Sequence, residues 1–231
     1  MITLITAIAP EKDAVLSLFP MKRVPSDTLT LYEAEGLRLL VTGSGKLPAA
    51  LAVTEYLCRY PYTETDIFCN VGICGAVSGA SLGDGFLCTS VTDLLSERSL
   101  YPENGRHPFP EAQLYTSETP VTENAGFDTI TAPLPLLADM EGYGIASARF
   151  RLLSPSRCFF YKVVSDVCDG NFPGFSTVTN LLAAKLLTLV AFLKEREALF
   201  LCADTTVKAY RPSVTANVKR FCDLFPCSTT M

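Results

Sequence analysis

Uninterrupted apolar and β-branched positions from Met1 to Ile8 predict a buried first strand. Pro10 then opens a helix carried on by Glu11, Asp13, Val15, Leu16, Leu18 and Phe19. Leu29–Glu33 and Leu37–Thr42 read as a hairpin turning near Glu35 and Gly36, and a helix follows over Leu47–Tyr60. The stretch Asp66–Ser90 organises the rest. Its apolar run Ile67-Phe68-Cys69 dissolves into Gly72, Gly75, Gly79, Gly83 and Gly85, then returns as Phe86-Leu87-Cys88. A short apolar run bounded by glycines predicts a central strand of an α/β sheet. Glycines after such a strand either let the backbone approach a ligand at the sheet's carboxyl edge or serve as plain turn chemistry.

Further along, Val91–Pro110 is polar and irregular, a surface excursion near that edge, with His107 expected on the surface. Ala112–Val121 and Asp128–Ala132 are short strand candidates, and Ala138–Phe150 reads as a helix with Asp139 and Glu141 in its first turn. Cys158–Val164 (CFFYKVV) is an apolar strand interrupted only by Lys162, and it runs into Ser165-Asp166. Thr177–Glu195 predicts a long helix, apolar over most of its circumference and so largely buried. A weaker helix is expected over Ser213–Phe225.

Composition narrows the function. The chain has 231 residues and 48% hydrophobic content, enough for one domain with a sizeable core. Lys+Arg 19 against Asp+Glu 24 gives a net charge of −5 without a basic block, which argues against nucleic acid. No run is read as long and apolar enough for a bilayer, and Glu11 and Lys12 interrupt any signal-peptide pattern, so no membrane is expected and a cytoplasmic location is. The nine cysteines are scattered through apolar runs without a CxxC pair, as expected of buried free thiols in a reducing compartment. A single histidine excludes a His-rich metal site.

The acids that stand out each have two readings. Glu11, where the first strand hands over to its helix, and Asp139 and Glu141 complement a helix dipole equally well without further function. Asp166, at the end of a buried strand, sits where α/β catalytic residues lie, or else is a turn or cap residue. The turn Thr42-Gly43-Ser44-Gly45-Lys46 resembles an anion-binding strand-to-helix turn but lacks P-loop spacing.

Five separated pieces resemble one family. Ala7-Ile8-Ala9-Pro10-Glu11 is similar to the AMxxE start of the methylthioadenosine/S-adenosylhomocysteine nucleosidases. Thr42–Lys46 resembles their SGIGK segment, and Asn70-Val71-Gly72-Ile73-Cys74-Gly75-Ala76 their NTGSAGG segment. Asp139-Met140-Glu141 and Ser165-Asp166 resemble the EME and SD motifs. The order matches the nucleoside phosphorylase/nucleosidase superfamily across residues 1–195, with 196–231 an unmatched extension expected to pack on the same domain. The resemblance implies a single α/β domain with a mixed central β-sheet flanked by helices, a homodimer or larger homo-oligomer, and neither cofactor nor metal.

It also implies roles. Breaking a purine N-glycosidic bond needs an acid near N7, and Asp166 matches it. Glu11 matches the acceptor of a proton from the attacking water. Glu141 matches the residue that binds the ribose hydroxyls and favours the cationic sugar. Met140 would lie against the ribose and Ser165 would orient Asp166. Gly72, Ile73, Cys74 and Gly75 would run close to the ligand, with Val121 and Ile8 also lining it. The implied activity is a purine-nucleoside N-ribohydrolase releasing an adenine-like base from a 5′-modified nucleoside such as methylthioadenosine or S-adenosylhomocysteine.

The alternatives are a phosphate-dependent phosphorylase, a futalosine hydrolase (the glycine segment's GIxGA pattern is similar) and a non-catalytic nucleoside-binding protein. Phosphorylases place an arginine and a hydroxyl residue where this chain has Asn70 and Ile73, which favours water. Pro120 replaces the aromatic that stacks on adenine, and Lys162 stands where arginine is common.

Overall fold

In the computed structural model the described residues are 1–63, 65–123, 127, 130, 132–152 and 157–204. Strand β1 (Ile2–Thr6) leads into helix α1 (Ala9–Leu18), then β2 (Lys22–Val24), β3 (Thr30–Ala34) and β4 (Leu37–Val41). Helix α2 (Lys46–Arg59) precedes the long strands β5 (Ile67–Ser78) and β6 (Gly85–Asp93). Then come β7 (Ser99–Leu100), β8 (Glu111–Thr116), β9 (Leu136–Asp139), α3 (Gly142–Leu152), β10 (Cys158–Asp166) and α4 (Phe175–Asp204).

The ten strands among the described residues belong to one mixed sheet. β1 lies parallel between β4 and β5, and β3 and β2 continue antiparallel from β4. On its other edge β5 pairs in parallel with β10, which pairs antiparallel with β6. β6 pairs with β8, β8 with β9, and β9 returns to β5. The strands β5-β10-β6-β8-β9 therefore close into a barrel-like ring, with β1-β4-β3-β2 as an open wing. The expected mixed α/β sheet is present, but it is not a simple flat central sheet. Only long strands can serve two neighbours in succession, and β5, with 12 residues, does so.

Alternation explains the layers. Ile5, Leu40, Phe68 and Phe160 face α2 and α3, whose Ala49, Val53, Ile145 and Ala146 pack on them. Leu4, Leu39, Cys69 and Phe159 face the opposite way, against Ala14 and Val15 of α1 and Leu182, Leu186, Leu189 and Leu193 of α4. Strands covered on both faces need apolar residues at every position, which is why β1 and β10 read as continuous runs.

Several expectations are amended. Leu136–Asp139 is a strand, and the helix expected from Ala138 starts at Gly142. The last helix spans Phe175–Asp204, beyond the expected Thr177–Glu195. Its segment Phe175–Leu201, with mean hydropathy 1.6, is long and apolar enough to cross a membrane by length and composition, so the sequence does hold such a run; 39% of its most apolar window is buried within the fold. His107 is not a surface side chain: it is 4% exposed, its Nε2 lies 3.2 Å from Oε1 of Glu111, and it stacks on Phe109. Among the described cysteines, Cys69, Cys74, Cys88, Cys158 and Cys168 are buried free thiols, and Cys58 is exposed. Most of the strand candidate Asp128–Ala132, most of the extension 196–231 and the helix candidate Ser213–Phe225 lie outside the described residues.

Candidate active site

Strand β5 changes neighbours midway. Its pairing with β1 ends at Asn70, and β9 takes the same edge only from Gly75. Between them Val71–Cys74 have no partner strand on that side, so a pocket opens there, as at the switch points where α/β sheets bind ligands. The cavity is about 170 Å³ and is lined by residues that include Ile8, Glu11, Ile73, Met140, Glu141 and Asp166.

The same gap positions Glu11. Pro10 sits in the first turn of α1, and Glu11 folds its carboxylate back onto the exposed amides at the helix start. Oε2 accepts the N–H of Ala7 at 2.7 Å and that of Ile8 at 3.2 Å, while Oε1 accepts the N–H of Ile73 at 2.9 Å. Ile73 has this N–H to give because no strand claims it. Glu11 thus both caps its helix and faces the pocket. Burial pushes its carboxyl above the ordinary range, against the opposing pull of Lys162 and the three amides.

Asp166 ends β10 opposite Gly75, just after a bulge in the β5 pairing. Its Oδ2 accepts the Ser165 hydroxyl at 2.8 Å and its Oδ1 the N–H of Cys168 at 3.1 Å. Two glycines make room for the two acids. A Cβ on Gly72 would stand 2.5 Å from Oε1 of Glu11, and one on Gly75 would stand 2.8 Å from Oδ1 of Asp166. Of the expected binding residues, only Gly72 is absent from the pocket wall; its place is under Glu11.

Glu141 is the third acid. Its Oε1 accepts the N–H of Gly45 at 2.8 Å and the hydroxyl of Ser44 at 3.0 Å. The turn that resembled an anion site does bind an anion, and the anion is Glu141. Burial, then the nearby Asp139, push the Glu141 carboxyl up, with Lys162 opposing. Asp139 is fully engaged. It accepts the Thr116 hydroxyl at 2.7 Å, caps α3 through the N–H of Gly142 at 2.8 Å, and ion-pairs with Lys162 at 2.8 Å.

Every other expected residue reaches the pocket: Ile8, Ile73, Cys74, Gly75, Val121, Met140, Glu141, Ser165 and Asp166 join Glu11 in its lining. Ser44 and Asp139, marked in the sequence only as part of a turn and as an acid of a helix start, also line it, as do Cys168 and Phe172, which sequence reasoning did not single out. The turn signal marked Ser44 but not its partner 97 residues away. Phe172 carried no signal beyond its place in the loop after Asp166. Among the described residues, no cluster of His, Cys, Asp and Glu forms a metal site.

No family model matches the chain, and no curated protein sequence does. Solved structures match over most of its length. The methylthioadenosine/S-adenosylhomocysteine nucleosidase (MTAN) of Chlamydia trachomatis bound to MTA shares 25% identity, covering 83% of this chain and 98% of that one, at TM-score 0.62. Arabidopsis thaliana 5′-methylthioadenosine nucleosidase shares 22%, covering 83% and 95%, at TM-score 0.67. A futalosine hydrolase mutant of Helicobacter pylori shares 13%, covering 82% and 98%, at TM-score 0.67. This is the nucleoside phosphorylase/nucleosidase fold. In this nucleosidase fold the pocket sits where β5 trades β1 for β9, at the carboxyl ends of β1 and β10.

Proposed function

We propose that this protein is a purine-nucleoside N-ribohydrolase acting on a 5′-modified adenine nucleoside such as methylthioadenosine or S-adenosylhomocysteine. The observation that carries the reading is the convergence of Glu11, Glu141 and Asp166 on one pocket from three elements far apart in the chain. A binding protein has no need of three buried acids, whose burial costs free energy; a reaction with separate proton donor, proton acceptor and sugar-cation contacts does.

Asp166, as the general acid, gives a proton to purine N7 as the bond from the anomeric carbon to N9 breaks, so the base leaves neutral. Ser165 and the Cys168 amide fix the direction of that carboxyl. Glu11 takes a proton from water as its oxygen bonds to the anomeric carbon. The products are free base and the 5′-modified ribose. With Oε1 of Glu141 held by Gly45 and Ser44, Oε2 is left to accept from the ribose hydroxyls and to stabilise positive charge on the sugar. No cofactor takes part in these steps.

Water is favoured over phosphate as nucleophile. Asn70 is buried, with its amide donating to the Ile5 carbonyl at 3.1 Å, and Ile73 presents an apolar side chain to the pocket. Neither offers phosphate a charged donor. Incubation with a purine-nucleoside panel, with and without phosphate, tests the reading: free base and free sugar are expected in both, and ribose 1-phosphate in neither. Absence of base from every nucleoside sinks it.

We further infer a homo-oligomer, supported by the exposed Leu47 and Leu51 on α2, directly after the Ser44–Gly45 turn of the site. A cytoplasmic location is supported by the buried, unpaired thiols.

A further inference from the structure

Helix α4 carries more apolar surface than the rest of the fold covers. One face, with Leu182, Leu186, Leu189 and Leu193, packs on the sheet. Another bears Ala184, Leu187, Ala191, Lys194, Ala198 and Leu201, all exposed. Their intervals alternate between three and four residues, so an alanine recurs at every seventh position and a leucine or Lys194 falls between. That is the spacing by which one helix seats another along its length, and the alanines let a second backbone come close. Leu187 is 59% exposed and Leu201 51%. A helix apolar on opposite faces belongs between two layers, and here one layer is in place. The exposed Leu47 and Leu51 lie on α2, across the sheet from α4, so an oligomer formed there leaves this stripe open.

We infer that residues 213–225 of the same chain cover the stripe, as a helix folded back antiparallel along α4. These residues lie outside the described ones, and their sequence carries the complementary pattern. Pro212-Ser213 reads as a helix start with Ser213 as its cap. Val214, Val218, Phe221 and Phe225 follow at intervals of four, three and four, which sets them on one narrow stripe. Lys219, Arg220 and Asp223 fall on the opposite side, where water reaches them once the stripe is covered. Length and position agree as well. α4 ends at Asp204, and residues 205–212 make a connection of the size that joins antiparallel helices. A helix over 213–225 is about 20 Å long, and the stripe from Leu201 back to Leu187 about 21 Å. Valine and phenylalanine on one side against alanine on the other interdigitate. The inference stands apart from the nucleosidase reading and survives its failure.

A second copy of the chain fits the stripe less well. Leu187 and Leu201 are equally far from Lys194, so pairing the stripe with its own copy about a two-fold axis sets Lys194 against Lys194. Facing like charges are costly at an interface. Against the uncharged stripe of 213–225, the Lys194 stem lies along apolar surface and its ammonium stays in water.

A photo-crosslinking phenylalanine analogue at position 187 of the full chain identifies the occupant. The expected product is a link within one chain, mapped by mass spectrometry to residues 213–225. A link between two chains, a link to lipid when phosphatidylglycerol vesicles are present, or no link at all overturns the inference. Hydrogen exchange gives a second measurement with no foreign residue. A lone helix of this length is marginal in water, so slow exchange over 213–225 reports a partner. Leu187→Glu changes an exposed side chain and leaves the core of α4 intact, yet it should speed exchange over 213–225 by about tenfold or more. Fast exchange there in the wild type, or slow exchange that Leu187→Glu leaves untouched, overturns the inference.

Discussion

The Glu11 carboxylate rests on Gly72: a Cβ there would stand 2.5 Å from Oε1 and 3.2 Å from the carboxyl carbon. The carboxylate cannot simply swing aside, because three backbone amides hold it. Gly72→Ala is therefore expected to push Glu11 out of register with the attacking water. Displacement of a positioned group by about 1 Å costs on the order of a hundredfold in rate. Affinity for a nucleoside should change far less. Steady-state kinetics beside calorimetric binding will tell, and equal losses in both would contradict this placement.

Asp166→Asn keeps an oxygen for the Cys168 amide and a side chain of the same shape, so the fold should stand. What it loses is the proton for N7. Base release is expected to drop roughly a hundred- to ten-thousandfold, the usual worth of one general acid. A variant within a few-fold of wild type would remove Asp166 from the mechanism.

The pH dependence carries opposite signs for activity and stability. Burial holds the Glu11 carboxyl above the ordinary glutamate value of about 4.3. As a base it must be ionised, so the rate should fall as pH drops through that raised value. In the same window the folded state binds more protons at Glu11 than the unfolded state does. Stability from this group is therefore present below about pH 4.3 and lost as pH rises through the raised value. Melting curves of wild type and Glu11→Gln across pH 4–8 isolate the group: the wild type should lose ground to the variant as pH rises. A gain instead would mean that Glu11 is held ionised by its amides.

Much of this site was legible because its parts are local signals: a strand end, a Pro-Glu helix start, a glycine cluster. Asp166 and Glu11 stood out on those grounds alone. What could not be read is what depends on distant pairing. The ring closes because β10 pairs with both β5 and β6, and nothing in CFFYKVV specifies two partners. Leu136–Asp139 is a four-residue strand too short to show a period, so the helix expected from Ala138 takes in its last two residues and puts Asp139 in a first turn it only caps. Gly72 and Gly75 are expected to run close to a ligand; Gly75 does line the pocket, but both missing side chains also make room for the two acids, which needs coordinates to see.

Ser44 gives a test of the sugar end. Its hydroxyl and the Gly45 amide share one oxygen of Glu141, so Ser44→Ala removes one of two donors and leaves the carboxylate looser and harder to ionise. Loss of a hydrogen bond to a charged group is worth about 1.5–3 kcal/mol, or roughly ten- to a hundredfold. Because the proposed mechanism has Glu141 contact the ribose before and during the reaction, the loss should appear in KM as well as kcat. An unchanged KM for the ribonucleoside, with the 2′-deoxy analogue equally good, would separate Ser44 from sugar binding.

The position of that turn is itself set from across the helix pair. Gly144, in the first turn of α3, lies so close to α2 that an added Cβ would meet the Lys46 carbonyl oxygen at 2.1 Å and its carbon at 2.9 Å. A backbone carbonyl cannot rotate away like a side chain, so Gly144→Ala must move α2 and α3 apart. Overpacking of this kind costs about 1–3 kcal/mol, which for a chain of this size lowers the melting temperature by several degrees. The separation also carries Ser44 and Gly45, which precede Lys46, away from Glu141, which precedes α3. Gly144→Ala is therefore expected to combine a lowered melting temperature with the raised KM of Ser44→Ala. In the double variant the two KM effects should fall short of their product, because both act through the same carboxylate. Independent, multiplying effects would show that the helix contact supports the fold alone and leaves the sugar site untouched.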